Sequence, residues 1–298
     1  MSDLAVHFEG VSKKYPHFTL DDIHLELPTG SIMGFIGANG AGKSTTLRIL
    51  MGLVHQDRGA VEVLGHSMPA DQARAKLDLG YVSEDMRLYK AATLRWHMEF
   101  VRSIYPAWDE TYAASLVRCF DVKPEQRIRG MSHGQRVKAA LLLVLARKPR
   151  LLVLDEPTTG LDPVARHEVL GALMEVLADE RRTVLFSSQN TLDVEQISDQ
   201  ITFIDRGRII DSSDKESLLD RWRRVRLDVP AGVVLPTLDG VITRSTSGRL
   251  TVLTANRFTP AMTAACVAAG ANVRAIETMS LEEIFVANVQ QRREREAA

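Results

Sequence analysis

The chain has 298 residues, with 37 Lys plus Arg against 38 Asp plus Glu and a net charge of −1. That balance argues against a nucleic-acid partner held by bulk charge, which needs a basic surface. An apolar share of 45% suits a full core, and the length suits one large and one small domain.

Two cysteines, Cys119 and Cys266, lie far apart with no C-x-x-C, so neither a disulfide framework nor a zinc site is expected, and a reducing compartment is compatible. The first residues, Met1 to Leu4, carry no basic or apolar leader, so no secretory signal is expected. The longest apolar run, Ala139 to Ala146, has eight residues. A membrane-spanning helix needs about 20. Any membrane role is therefore expected to need a partner.

In chain order, Val6, Phe8 and Val11 alternate with polar residues and predict a first strand, which Lys13-Lys14-Tyr15-Pro16 should break. Leu20, Ile23, Leu25 and Leu27 continue a strand-rich N-terminal layer. A buried strand is expected over 31–36, a helix over 44–51 and a short strand over 59–65. Pro69 to Lys76 reads as helix and Leu79 to Val82 as strand. From Thr93 to Ala146 the pattern is helical, an insertion in an otherwise alternating α/β order. Within it Leu94, Met98 and Val101 share a face. Segments from Trp108 to Cys119 and Gly134 to Ala146 follow.

Beyond it, strands at 151–154, 183–187 and 200–205 alternate with helices at 163–178 and 190–198, and a turn at Arg206-Gly207 leads to Ile209-Ile210. That order implies a mostly parallel sheet covered on both faces. Arg221-Trp222-Arg223-Arg224 reads as a solvated basic face. Residues 225–298 read as a small appended α/β domain without a catalytic constellation, with strands at 225–229, 250–254 and 272–276 and helices at 260–269 and from Ser280.

The stretch Gly37-Ala38-Asn39-Gly40-Ala41-Gly42-Lys43-Ser44-Thr45 fits the phosphate-loop pattern G-x-x-x-x-G-K-[ST] at every fixed position. Gly37, Gly40 and Gly42 let the backbone curl around phosphates with its N–H groups inward, and Asn39 lies on the curl. Lys43 can reach β- and γ-phosphates, Ser44 can ligate Mg²⁺, and Thr45 sits in a helical first turn whose dipole favours anions. The apolar run Leu151-Leu152-Val153-Leu154 ends in Asp155 and Glu156. Asp155 can hold Mg²⁺ with Ser44, and Glu156 can face the γ-phosphate and polarise water.

Met131-Ser132-His133-Gly134-Gln135 opens a helix, with Ser132 as a plausible N-cap. Here the chain resembles the ATP-binding-cassette (ABC) ATPases over residues 3–220. Their signature is Leu-Ser-Gly-Gly-Gln; Ser132, Gly134 and Gln135 match, while Met131 and His133 depart from it. The resemblance implies a P-loop NTPase fold with an antiparallel N-terminal layer and a helical subdomain over 93–146. It implies ATP and Mg²⁺ as ligands and Tyr15 stacked on adenine. Asp162, in Thr159-Gly160-Leu161-Asp162, falls in a loop facing a partner cassette.

It also places Glu84 where the family has a glutamine that senses Mg²⁺ and water, and Gln189 where it has a histidine that contacts the γ-phosphate. Glutamine donates through its amide but takes up no proton, so slow hydrolysis is expected. By the same resemblance two cassettes, identical or paired, close on ATP, the signature of one meeting the phosphate loop of the other. The inserted helices couple that motion to an integral-membrane permease at the cytoplasmic face of the plasma membrane.

Trp96, Phe100, Tyr105 and Trp108 are candidates for docking, at least half of them expected to pack inward instead. Tyr105-Pro106-Ala107-Trp108-Asp109, Glu84 and Ser280-Leu281-Glu282-Glu283-Ile284-Phe285 resemble bacterial ABC-2-type exporter cassettes. A hydrolysis-impaired gating subunit and a non-transport ABC ATPase are the alternatives. No nucleic-acid partner is expected.

Overall fold

The computed structural model describes residues 4–83, 85–177 and 182–297. The chain divides into two compact units, Met1–Ser212 and Ser213–Ala298.

The first unit opens with β1 (Leu4–Tyr15) and β2 (Phe18–Pro28), an antiparallel pair. β1 does not break at Lys13. Asp57 accepts from the Lys13 ammonium at 2.7 Å and from the Lys14 N–H at 2.8 Å, and Tyr15 pairs with Phe18 across the turn. After β3 (Ile32–Ile36) and α1 (Lys43–Leu50), β4 (Arg58–Val63) and β5 (His66–Met68) complete a sheet ordered β2-β1-β4-β5. The three-residue β5 has no sequence pattern of its own, and its neighbour α2 (Gln72–Ala75) covers only part of the helix expected over 69–76.

Three helices follow β6 (Leu79–Ser83): α3 (Leu94–Ile104), α4 (Glu110–Cys119) and α5 (His133–Leu145). Each starts on a side-chain cap. Thr93 accepts from Trp96 N–H, Asp109 from Tyr112 N–H, and Ser132 from Gln135 N–H. Such caps satisfy the orphan amides of a first turn. β7 (Leu151–Asp155), α6 (Pro163–Leu177), β8 (Thr183–Ser188), α7 (Thr191–Ile197), β9 (Gln200–Asp205) and β10 (Arg208–Asp214) complete the unit.

The second sheet runs β10-β9-β3-β8-β7-β6, with β9, β3, β8, β7 and β6 parallel to one another. Leu151, Leu152, Val153 and Leu154 are at most 1% exposed, which explains their unbroken apolar run. Each such burial contributes roughly 1.5–3 kcal/mol. Gly34 in β3 lets α7 sit directly on the sheet, since a Cβ there would come 1.9 Å from Val194 Cγ1. Because these strands are parallel, their C-terminal ends share one edge, where the loop after β3 and the carboxylates after β7 emerge.

The second unit holds α8 (Lys215–Arg221), β11 (Arg223–Asp228), β12 (Val241–Ser247), β13 (Leu250–Ala255), α9 (Pro260–Ala268), β14 (Asn272–Thr278) and α10 (Leu281–Ala297). Its antiparallel sheet is ordered β12-β13-β11-β14 around Val225, Leu227, Leu253 and Cys266. The polar strand β12 was not expected from the sequence. The basic run Arg221–Arg224 is also less simple than a solvated face, because Trp222 is 1% exposed. Among the described residues no helix is long and apolar enough to cross a membrane.

Candidate active site

The loop between β3 and α1 borders a cavity of about 470 Å³, lined by Asn39, Gly40, Gly42, Lys43, Ser44 and Thr45, with Ala38, His17, Phe18 and Glu156 completing the wall. Gly42 has φ 116°, in the left-handed region open to glycine, and Gly40 turns likewise at 77°. No atom lies within 4 Å of where a Gly40 Cβ would stand, so the loop's hollow is open there. The amides of Lys43, Ser44 and Thr45 belong to the first turn of α1, where no intrahelical acceptor exists. Gly37 sits against the sheet instead: a Cβ would come 2.6 Å from Ile204 O.

Lys43 is 5% exposed, and its ammonium donates to Gly37 O at 2.6 Å. It also lies 3.0 Å from Glu156 Oε1. A buried cation, open first-turn amides and a hollow that a side chain would fill fit a polyphosphate.

Glu156 leaves β7 with φ 53°, an uncommon region for a residue with a side chain. Its N–H donates to Ser187 O at 3.2 Å and to Ser187 Oγ at 3.1 Å. Its Oε2 accepts from Thr159 Oγ1 at 2.9 Å and from Gln189 N–H at 3.3 Å. Asp155 is 5% exposed and accepts from Ser187 Oγ at 2.7 Å through Oδ1. The side chains of Asp155 and Ser44 are hard oxygen donors of the kind Mg²⁺ takes. Glu84 lies outside the described residues.

Ser132 and Gln135 cap each other: Gln135 N–H donates to Ser132 Oγ at 3.2 Å, and Ser132 N–H to Gln135 Oε1 at 3.0 Å. The Gln135 oxygen is therefore engaged in its own helix. Gly134 packs near Ala165 and Leu161, at 3.4 and 3.6 Å from a notional Cβ. His133 Nε2 lies 3.1 Å from Thr159 O, and since a carbonyl only accepts, that nitrogen carries the proton. Asp162 caps the start of α6, accepting from Val164 and Ala165 N–H at 3.0 Å each. Those amides hold its carboxyl below the usual range.

None of Ser132, Gly134 and Gln135 lines the loop cavity. A second cavity of about 590 Å³ is bordered by His133, Arg136 and Thr159, and among the described residues only Glu156 is shared between the two.

The sequence model of the family described as ABC transporter matches residues 20–159. The daunorubicin resistance ATP-binding protein DrrA3 of Streptomyces coeruleorubidus is 31% identical over 235 residues, covering 77% of this chain and 74% of its own. This chain is a member of the ABC transporter family of ATP-binding proteins. The linearmycin resistance ATP-binding protein LnrL of Bacillus subtilis is 31% identical over 72% of this chain and 70% of its own. A solved ATP-binding subunit of an ABC transporter superposes with TM-score 0.66 at 25% identity, over 72% of this chain and 92% of that one. The ADP- and phosphate-bound dimeric cassette MJ0796 shares the fold, with TM-score 0.63 at 19% identity over 70% and 98% of the two chains. As in other ABC ATPases, ATP is the nucleotide and the fold is the P-loop cassette.

Within this ABC cassette, the aromatic beside the phosphate loop is Phe18, whose Cζ lies 3.0 Å from a notional Gly42 Cβ. Tyr15 is not part of the cavity lining; its ring centre lies 6.4 Å from that of Phe18. The sequence reading passed over Phe18 and His17, which spacing does not mark. Nor does the sequence mark the hydroxyls of Thr159, which reaches Glu156 within one loop, and of Ser187, which matters because β8 pairs with β7.

The docking candidates divide. Trp96 and Phe100 are 42% and 47% exposed and stack at 5.3 Å, with Tyr89 edge-on to Trp96 at 5.7 Å. Ile104 continues the same helical face at 50% exposure. Tyr105 is half-buried under the Arg147 guanidinium, and Trp108 donates to Glu110 at 2.9 Å. Burial pushes the Arg147 guanidinium below its ordinary value.

Proposed function

We propose that this chain is the ATP-hydrolysing subunit of an ABC exporter and works as one of two cassettes against a separate integral-membrane permease. The observation that carries this reading is that none of Ser132, Gly134 and Gln135 lines the phosphate-loop cavity. One chain alone does not bring Ser132 and Gly134 to its own phosphate loop. A second cassette supplies them, so ATP bridges two subunits and ADP does not. That differential contact is what lets a ligand shift a conformational equilibrium.

Lys43 and the first-turn amides of α1 bind the β- and γ-phosphates. The hydroxyl of Ser44 and the free oxygen of Asp155 would hold Mg²⁺, and in the sequence Glu84 takes the place of the family's sensing glutamine. Mg²⁺ when bound neutralises charge on the phosphate oxygens. Glu156, steadied by Thr159 and the Gln189 N–H, orients the attacking water. The Gln189 amide donates to the departing phosphate where a histidine would donate and carry charge, so turnover is slow. Phe18 forms one side of the loop cavity, and Tyr15, next to it, is the ring that would stack on adenine. Asp162 fixes the start of α6 in the loop that faces the second cassette.

The exposed row Trp96, Phe100 and Ile104 is a contiguous apolar patch on a polar protein, the kind of surface that seats a partner. It docks the permease and keeps the chain peripheral on the cytoplasmic face of the plasma membrane. The names of the drug-resistance relatives support export as the direction.

The test is a Glu156→Gln chain, which is expected to pair on sizing columns in saturating ATP and Mg²⁺ and to co-purify, after crosslinking, with a multi-spanning membrane protein. Persistent monomers with nucleotide and permease present would overturn the reading. The second reading, a gate that binds ATP and scarcely hydrolyses it, is favoured by Gln189 alone. Nucleotide-driven pairing with no measurable phosphate release from the unaltered chain would select it.

A further inference from the structure

We propose that Ser187 is a positioning residue that sets both carboxylates of the site with one hydroxyl. The inference rests on the reading of Asp155 and Glu156 given above.

Ser187 lies in β8, fully buried, directly opposite Asp155 in the parallel β7–β8 register. Its Oγ donates to Asp155 Oδ1 at 2.7 Å and accepts from Glu156 N–H at 3.1 Å. The hydroxyl has one proton to give, so the two bonds have fixed directions. Two consequences follow. Asp155 has one oxygen committed to Ser187, which fixes the carboxylate plane and leaves Oδ2 for a cation. The Glu156 peptide is clamped at φ 53° between the Ser187 carbonyl and hydroxyl.

A left-handed backbone is disfavoured for a residue with a side chain, so it persists only where neighbours hold it. That turn carries the Glu156 side chain to Lys43, Thr159 and the Gln189 N–H. Ser187 does not line the phosphate-loop cavity, so it acts through the two carboxylates and not on nucleotide.

Without the hydroxyl, Asp155 Oδ1 becomes a buried acceptor lacking its donor and is free to turn, and the Glu156 peptide keeps only the carbonyl. Residues that orient a metal-holding group typically cost about 10- to 100-fold in metal affinity or activity when removed.

The experiment compares Ser187→Ala and the isosteric but weaker donor Ser187→Cys with the unaltered chain. Steady-state phosphate release is measured against ATP and against Mg²⁺, and a fluorescent ATP analogue is titrated with Mg²⁺ and with EDTA. For Ser187→Ala the expected result is a kcat about 10- to 100-fold lower. KM for ATP stays near that of the unaltered chain, the half-saturating Mg²⁺ rises, and analogue affinity in EDTA is unchanged. Ser187→Cys falls between the two.

An unchanged Mg²⁺ requirement in both variants overturns the proposal, even if kcat falls, because that pattern marks a packing role. If Ser187→Ala does not fold, the cysteine variant alone decides by the same two readouts. A failure of the site reading itself looks different: the unaltered chain then shows no Mg²⁺-dependent gain in analogue binding at all.

Discussion

Asp155 and Asp228 each end a strand, one in each unit, and they live in different surroundings. Asp155 closes β7 in a parallel sheet, 5% exposed, bonded to a buried hydroxyl and followed by a glutamate in a left-handed turn. Asp228 closes β11 in the antiparallel sheet and accepts from Arg249 at 2.9 and 3.0 Å and from Arg274 at 3.2 Å. Both of those arginines are mostly exposed. There both carboxylate oxygens are taken by guanidinium donors, so the carboxylate keeps no oxygen for a cation. The first holds a carboxylate in place and keeps an oxygen available. Charge that is buried, oriented and incompletely used marks chemistry, whereas charge that is neutralised at a surface marks packing.

The comparison is tested most severely at Glu156. Glu156→Gln should lower steady-state phosphate release by about 100-fold or more, the span expected for a residue that handles the attacking water. A variant that keeps most of its activity would erase the distinction between the two strand ends. Lys43→Ala should come next, abolishing measurable binding of a fluorescent ATP analogue while the far-ultraviolet circular dichroism stays that of the folded chain.

Gln189→His should act in the opposite direction and raise turnover, because a histidine there adds a donor that can carry charge. An unchanged or lower rate removes the account of slow hydrolysis.

The smallest effect belongs to the second unit. Asp228→Asn should leave phosphate release within about twofold, because Asp228 lines neither cavity of the site. Its consequence is for stability in acid. The Arg249 guanidinium first, and Arg274 after it, holds the Asp228 carboxyl below its usual range. A depressed folded value means the contribution is complete above the unfolded value near 4 and is lost as pH falls through the folded one. Thermal melts across that window should therefore steepen for the unaltered chain and flatten for Asp228→Asn.

Much of the phosphate-binding half was legible in the sequence. The loop 37–45 constrains nearly every position, and the four-residue apolar run before Asp155 could only be a strand buried on both faces. What was not legible depends on which strands lie side by side. Ser187 reads as an ordinary strand residue until β8 is placed against β7, and Thr159 as a turn residue until Glu156 bends back to it. Phe18 follows a hairpin turn whose position was misjudged, because the lysines that seemed to break β1 are held by Asp57 from a distant segment. β12 escaped because Val241-Ile242-Thr243-Arg244-Ser245-Thr246-Ser247 carries little apolar weight and is half-exposed. Sequence periodicity reports burial, and that strand has little to report.

The 3.0 Å approach of Lys43 to Glu156 bears on how nucleotide titrations of this protein are to be read. An incoming triphosphate competes for the same ammonium, so the apparent Kd contains the work of parting two opposite charges. Replacing that carboxylate by an amide lowers the barrier to entry as well as stopping the reaction. Tighter retention of ATP by such a variant is then partly a property of a lysine released from its carboxylate, and a trapped pair of subunits overstates how firmly the native pair is joined.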